Sequence, residues 1–192
     1  GQAGAATCQL PLEKSEKLRK EGYTAYSREE LFDGDYNFDI SMLTVPTPTI
    51  DGTINLDPIT SASIDLGKRL KFSKKNYHLV VVKSTVPPGT TEELVIKNIE
   101  KYSGKKIGKD FGACMNPEYL REYAAYEDSL NPWLIIIGEF DKKSGKMLEN
   151  VYKVFKPVFI HVYLCPIIPI MINPVYTPIG VFFRFWYHPM RS

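Results

Sequence analysis

Hydroxyls and carboxylates gather in three short stretches of this sequence. They are Val45-Pro46-Thr47-Pro48-Thr49, Lys83-Ser84-Thr85-Val86-Pro87-Pro88-Gly89-Thr90-Thr91 and Met115-Asn116-Pro117-Glu118-Tyr119-Leu120-Arg121-Glu122. Each follows directly on an apolar run, and hydrogen bonding and proton transfer are the chemistry such groups supply. In an open parallel sheet, ligands bind beyond the carboxyl ends of the strands, where loops hold polar groups at a fixed height. Taken one at a time, the same residues read equally well as caps and turns, because Thr, Pro, Gly and Asn are ordinary turn formers.

The elements that must carry these loops alternate strand with helix, which predicts an α/β fold with a mostly parallel, Rossmann-like sheet. Ile40 to Val45 reads as a strand stopped by Pro46. Asp57-Pro58 then offers an N-cap and a first-turn proline for a helix burying Ile59, Ala62, Leu66 and Leu70. Tyr77 to Lys83 contains Leu79-Val80-Val81-Val82, a run without polar alternation, as expected of a central strand covered on both faces. Thr90 with Glu93 has the form of a capping box for a helix that buries Val95, Ile99 and Tyr102. Phe111 to Met115 and Leu134 to Ile137 read as further strands, and Asp141 as the cap of a helix burying Met147, Leu148, Val151 and Phe155. Towards the start, Glu13 to Lys20 has helical character, Tyr23 to Tyr26 reads as a short strand, and Ser27 with Glu30 offers another capping box.

Order and spacing of the three loops, with Glu127-Asp128, Asn131-Pro132 and Ile135-Ile136-Ile137-Gly138 after them, resemble the NAD-binding domain of the nucleotide-sugar 6-dehydrogenases, the UDP-glucose and GDP-mannose dehydrogenase family. The likeness runs from about Asp39 to Phe155. It implies oxidation of a sugar C6 alcohol to a carboxylate by two hydride transfers to NAD⁺, through an adduct on a cysteine thiol. By the same resemblance, Thr85 and Glu118 are the catalytic pair that holds and activates a water. Thr47, Ser84, Thr85 and Glu122 then contact the cofactor, and Glu118, Tyr119, Leu120, Arg121 and Glu122 form the wall that meets the sugar. Glu122 also reads as a first-turn acid complementing a helix dipole. The form Asn116-Pro117-Glu118-Tyr119-Leu120-Arg121-Glu122 looks like the UDP-glucose branch or the closely similar GDP-mannose branch.

Departures from the family pattern are equally legible. Gly1-Gln2-Ala3-Gly4 is either the end of a glycine-rich phosphate loop or a chance match, so the first strands are expected to be missing. None of Cys8, Cys114 and Cys165 sits in the family's glycine-rich cysteine motif, and Cys114, on a predicted strand, reads as a small buried hydrophobe. The expectation is an incomplete enzyme, inactive alone. The competing readings are a non-catalytic dinucleotide-binding or interaction module, and another NAD-dependent dehydrogenase on the same fold, such as a 3-hydroxyacid enzyme.

Composition bounds these readings. Of 192 residues, 24 are Lys or Arg and 22 Asp or Glu. Residues 157–192 contain only Arg184 and Arg191, leaving residues 1–156 neutral and without a basic field for nucleic acid. Three unpaired cysteines without close spacing offer no disulfide framework and no zinc pair, which suits a cytoplasmic location. A NAD-binding domain over 1–156 is expected, then an apolar, Pro-rich tail over 157–192 in which no regular element fits and which does not belong to the fold, a shifted reading frame being one origin for it. Prolines at short intervals argue against a membrane helix there. The tail favours self-association or non-specific sticking to membranes, so a chain ending near Lys156 is expected to be more soluble.

Overall fold

The computed structural model describes residues 20, 38–117, 125–164, 173–177 and 180–184. The expected helix over Glu13 to Lys20, apart from the helical Lys20 itself, the strand at Tyr23 to Tyr26 and the Ser27–Glu30 cap lie outside the described residues.

The described chain runs β1 (Ile40–Leu43), β2 (Thr49–Ile50), β3 (Thr53–Ile54), α1 (Asp57–Leu70) and β4 (His78–Val82). A π-helical turn, Thr91–Ile96, then leads into α2 (Lys97–Ser103). After β5 (Phe111–Met115) come α3 (Ala125–Leu130), β6 (Leu134–Glu139) and α4 (Lys142–Tyr152), which tightens into a 3₁₀ turn, Lys153–Phe155. The last elements are β7 (Val158–Tyr163), β8 (Asn173–Thr177) and β9 (Gly180–Arg184). One five-stranded sheet has the order β1-β4-β5-β6-β7; β2 with β3, and β8 with β9, form separate two-stranded pairs.

Strands β1, β4 and β5 are parallel, with Ile40 opposite Leu79 and His78 opposite Phe111. Their carboxyl ends therefore open on the same side. Alternation along β4 sends Val80 and Val82 to one face, where they pack with Ile59, Leu70, Val95, Ile96 and Ile99 of the α1 and α2 side. Leu79 and Val81 go to the other face, with Cys114, Ile135, Ile137 and Leu148 of α4. Every residue of β4 is buried, which accounts for its uninterrupted apolar run.

Several local expectations need correction. Asp57 is not the cap of α1 but its first residue: its N–H donates to Asn55 Oδ1 at 2.8 Å, so the Asn55 side chain does the capping. Thr90 is already helical and makes no side-chain cap bond. That helix begins instead from Gly89, whose φ of +84° turns the chain and whose carbonyl accepts from Glu93 N–H at 2.8 Å. Asp141 does cap α4, accepting from Ser144 N–H at 2.8 Å. Val151 and Phe155 are exposed at 38% and 41%: Ser144, Gly145 and Leu148 form the buried face of α4, with Met147 and Tyr152 packed against the core, so that Val151 is off this face and Phe155 lies past the helix in the 3₁₀ turn.

Two departures concern the sheet. Strand β6 pairs antiparallel with β5 through only Cys114–Glu139 and Met115–Gly138. The stretch after Pro157, expected to hold no regular element, begins with β7, paired parallel with β6 from Leu134–Val158 to Glu139–Tyr163. Val158-Phe159-Ile160-His161-Val162-Tyr163 is rich in β-branched and aromatic residues and lies before the first interrupting proline of the tail. Among the described residues no helix is long and apolar enough to cross a membrane.

Candidate functional site

The carboxyl ends of β1 and β4 are joined before any ligand is considered. Lys83 N–H and Ser84 N–H both donate to the Leu43 carbonyl, at 2.9 and 3.3 Å. The buried Ser84 hydroxyl donates to the Val45 carbonyl and reaches that of Leu43 at 3.4 Å. From the other loop, Thr47 Oγ1 donates to the Thr85 carbonyl at 2.7 Å. Prolines 46, 48, 87 and 88 fix the backbone on either side, and the hydroxyls stitch the two loops together. Thr47, Ser84 and Thr85 are thus gathered at one end of the sheet, with Ser84 buried, Thr47 half-buried and Thr85 exposed. Glu118, Tyr119, Leu120, Arg121 and Glu122 lie outside the described residues.

The third strand end is anchored by a residue whose part the sequence did not disclose. Asn116, 1% exposed, donates from its main-chain N–H to Val82 O at 2.9 Å and from Nδ2 to Ile136 O at 2.8 Å. Its Oδ1 accepts from Tyr152 Oη at 2.7 Å and from Lys83 Nζ at 3.3 Å. The signal for it was the Asn-Pro step: Pro117 has no N–H to extend the ladder, so a side chain must supply the next donor.

What these groups can do follows from their free capacity. Thr47 and Ser84 give their protons to main-chain carbonyls, so towards a ligand each presents oxygen lone pairs. Such acceptors suit the hydroxyl and amide donors of a dinucleotide. Thr85, exposed beside them, keeps a side chain open to solvent. This donor and acceptor set fits one side of a nicotinamide dinucleotide at the carboxyl edge of a parallel sheet.

Cys114 is the cysteine nearest these loops along the chain, and it is not a nucleophile. It is buried in β5, and burial, with smaller contributions from Glu139 and Asp141, pushes its thiol up to about 12.

The profile of the UDP-glucose/GDP-mannose dehydrogenase family, NAD binding domain, matches residues 21–156. A GDP-mannose 6-dehydrogenase of Azotobacter vinelandii is 45% identical over 115 residues, covering 59% of this chain and 26% of that protein. A UDP-glucose 6-dehydrogenase of Haloferax volcanii is 39% identical over 131 residues, covering 68% of this chain and 29% of the relative. Among solved structures, a ternary complex of GDP-mannose dehydrogenase from Pseudomonas aeruginosa superposes with a TM-score of 0.68 at 35% identity, over 78% of this chain and 34% of that one. A UDP-glucose dehydrogenase from Pyrobaculum islandicum gives 0.66 at 33% identity, over 79% and 34%. This chain spans about a quarter of the length of the curated GDP-mannose relatives it matches. With a profile match over most of its length, and a mostly parallel sheet with the Thr47 and Ser84–Thr85 loops at its strand ends, the chain belongs to the UDP-glucose/GDP-mannose dehydrogenase family and carries its NAD binding domain.

Proposed function

We propose that the protein containing this domain oxidises the C6 primary alcohol of a nucleotide sugar, UDP-glucose or the related GDP-mannose, to the carboxylate. NAD⁺, when bound, accepts a hydride from C6. Alcohol to acid is a four-electron oxidation, so two NAD⁺ are reduced and one water is consumed per sugar. Thr47, Ser84 and Thr85 hold the cofactor side, with Glu122. Thr85 fixes the water that Glu118 activates as a base, and residues Glu118 to Glu122 wall the sugar. The observation that carries this reading is the Thr47–Thr85 bond, which holds two motif loops at one edge of the sheet. Identities of 42% to 46% to GDP-mannose enzymes against 39% to a UDP-glucose enzyme weigh towards the mannose substrate.

By itself the 192-residue chain is expected to turn over neither sugar: the second oxidation needs a positioned thiolate, Cys114 is buried with its thiol pushed up to about 12, and neither Cys8 nor Cys165 sits in the family's glycine-rich cysteine motif. The same observation favours, as a second reading, a dinucleotide-binding module without catalysis. Fluorescence titration with NADH and an assay of NADH production with each nucleotide sugar test both. Saturable NADH binding without turnover is expected; no binding sinks the NAD reading of this stretch, and steady formation of two NADH per sugar acid sinks the claim of inactivity. A thermal shift with GDP-mannose but not UDP-glucose supports the mannose branch, and the reverse supports glucose.

A further inference from the structure

Strand β5 leaves the sheet at Asn116-Pro117, and nothing in its main chain can hold that exit against β6. Their antiparallel pairing covers two residue pairs, and the next ladder position falls to Pro117, which has no N–H. The Asn116 side chain substitutes for the missing rung by donating to Ile136 O. Because that carbonyl can only accept, the amide orientation is determined, and Oδ1 must face the two donors on its other side. One is Tyr152 Oη, from the last residue of α4; the other is the Lys83 ammonium, one residue before Ser84 and two before Thr85. A single buried amide thus joins β4, β5, β6 and α4 directly behind the loops of the site.

We propose that Asn116, held by Tyr152 and Lys83, is a positioning residue for the NAD site: it fixes the exit of β5 relative to the Ser84–Thr85 loop, so that the two loop ends keep the spacing the cofactor requires. Tyr152 reaches the site through its hydroxyl on Asn116 Oδ1. Lys83 contributes a cation whose hydrogen bond to Oδ1 ties the β4 exit to the same amide. The proposal rests on the reading of these loops as NAD-facing.

The test uses the full 192-residue chain with Tyr152→Phe, Asn116→Asp, Lys83→Met and Lys83→Arg, and with Leu148→Val as a control. Leu148 is fully buried on the same helix, so its truncation lowers stability without touching the Asn116 amide. Three quantities are read for each: thermal midpoint, hydrogen exchange of the Asn116 amide, and the NADH dissociation constant. Tyr152→Phe removes one donor at almost constant volume and should speed exchange at Asn116 by about tenfold. It should also weaken NADH by about fivefold or more. Asn116→Asp keeps the acceptor but loses the donor to Ile136 O, and should do both more strongly; if that variant does not fold, Tyr152→Phe decides alone. Lys83→Arg should keep NADH affinity where Lys83→Met loses it. Leu148→Val should lower the midpoint while leaving NADH affinity unchanged. NADH affinity in Tyr152→Phe within about twofold of the unaltered chain, or reduced no more than in Leu148→Val at equal thermal loss, overturns the positioning role. Absence of saturable NADH binding by the unaltered chain overturns the underlying reading instead, whatever the variants do.

Discussion

Thr47 Oγ1 donates a 2.7 Å hydrogen bond to the main-chain carbonyl of Thr85, 38 residues away in sequence. The bond joins the loop after β1 to the loop after β4, and it uses the side chain of one motif to fix the backbone of the other. A threonine at position 47 is therefore needed for its proton as well as for any contact it makes with a ligand.

Replacing Thr47 by Val keeps the shape and removes the donor. The loss should be about 1 kcal/mol of stability, with weaker NADH binding, while Thr47→Ser should retain both. Urea melts and NADH titration check this. If Thr47→Val binds NADH as well as the unaltered chain, the loop-to-loop bond has no bearing on the cofactor.

His78 gives the fold a defined acid sensitivity. It is 3% exposed at the start of β4, with Nδ1 2.8 Å from the Phe38 carbonyl and Nε2 2.9 Å from Ser41 Oγ. A carbonyl only accepts, so Nδ1 carries the proton and Nε2 accepts from the serine. Burial pushes the pKa below its ordinary 6.5; the Phe38 carbonyl and Asp39 oppose the shift, and Lys105 and Lys75 add to it. In the unfolded chain the imidazole takes a proton more readily than in the folded one. Stability from this group is therefore complete above 6.5 and declines as pH falls from there towards the folded value. Urea midpoints measured between about pH 7.5 and 5 should fall less steeply in His78→Gln than in the unaltered chain. Equal slopes would show that His78 takes up its proton without unfolding.

Periodicity made the central strands legible: the Leu79–Val82 run has no polar alternation, and all of it is buried. Loop motifs were legible as ordered groups, and Thr47, Ser84 and Thr85 do meet. What stayed hidden was set by contacts between residues distant in the chain. No local pattern tells that Tyr152 and Lys83 converge on Asn116, or that Asn55 rather than Asp57 caps α1. Strand β7 was hidden for another reason. The composition of the whole tail outweighed a six-residue β-rich run that lies between Pro157 and Pro166.

Gly145 exists where it does because a carboxylate occupies the space of its side chain. Glu139, 1% exposed, turns back under α4 with Oε2 2.7 Å from His161 Nδ1 and Oε1 3.6 Å from Lys142 Nζ. A Cβ on Gly145 would overlap that carboxylate. Gly145→Ala should cost about 3 kcal/mol, and most of the loss should disappear when Glu139→Ala is present in the same chain. The double-mutant cycle should give a coupling of at least about 1 kcal/mol. Additive losses would mean that Ala is resisted by something other than Glu139.

Strand β7 reverses the expectation for where the chain can be shortened. A chain ending at Lys156 loses the strand that pairs with all six residues of β6, from Leu134–Val158 to Glu139–Tyr163. It also loses the bonds from Val158 N–H to Trp133 O at 3.0 Å and from Leu164 N–H to Glu139 O at 2.8 Å. Strand β6 would become an uncovered edge carrying Ile135, Ile136 and Ile137, an arrangement prone to pairing with other chains. Glu139 would lose the His161 contact at 2.7 Å and keep only the longer approach of Lys142 Nζ at 3.6 Å, which leaves a buried carboxyl group less well satisfied. A chain ending at Leu164 keeps all of these contacts and discards most of the uncharged, proline-interrupted stretch. It should therefore show a higher urea midpoint than the chain ending at Lys156, and a narrower size distribution in light scattering than either that chain or the 192-residue one. A chain ending at Lys156 that is both the more stable and the more monodisperse would show that β7 adds nothing to the sheet it extends.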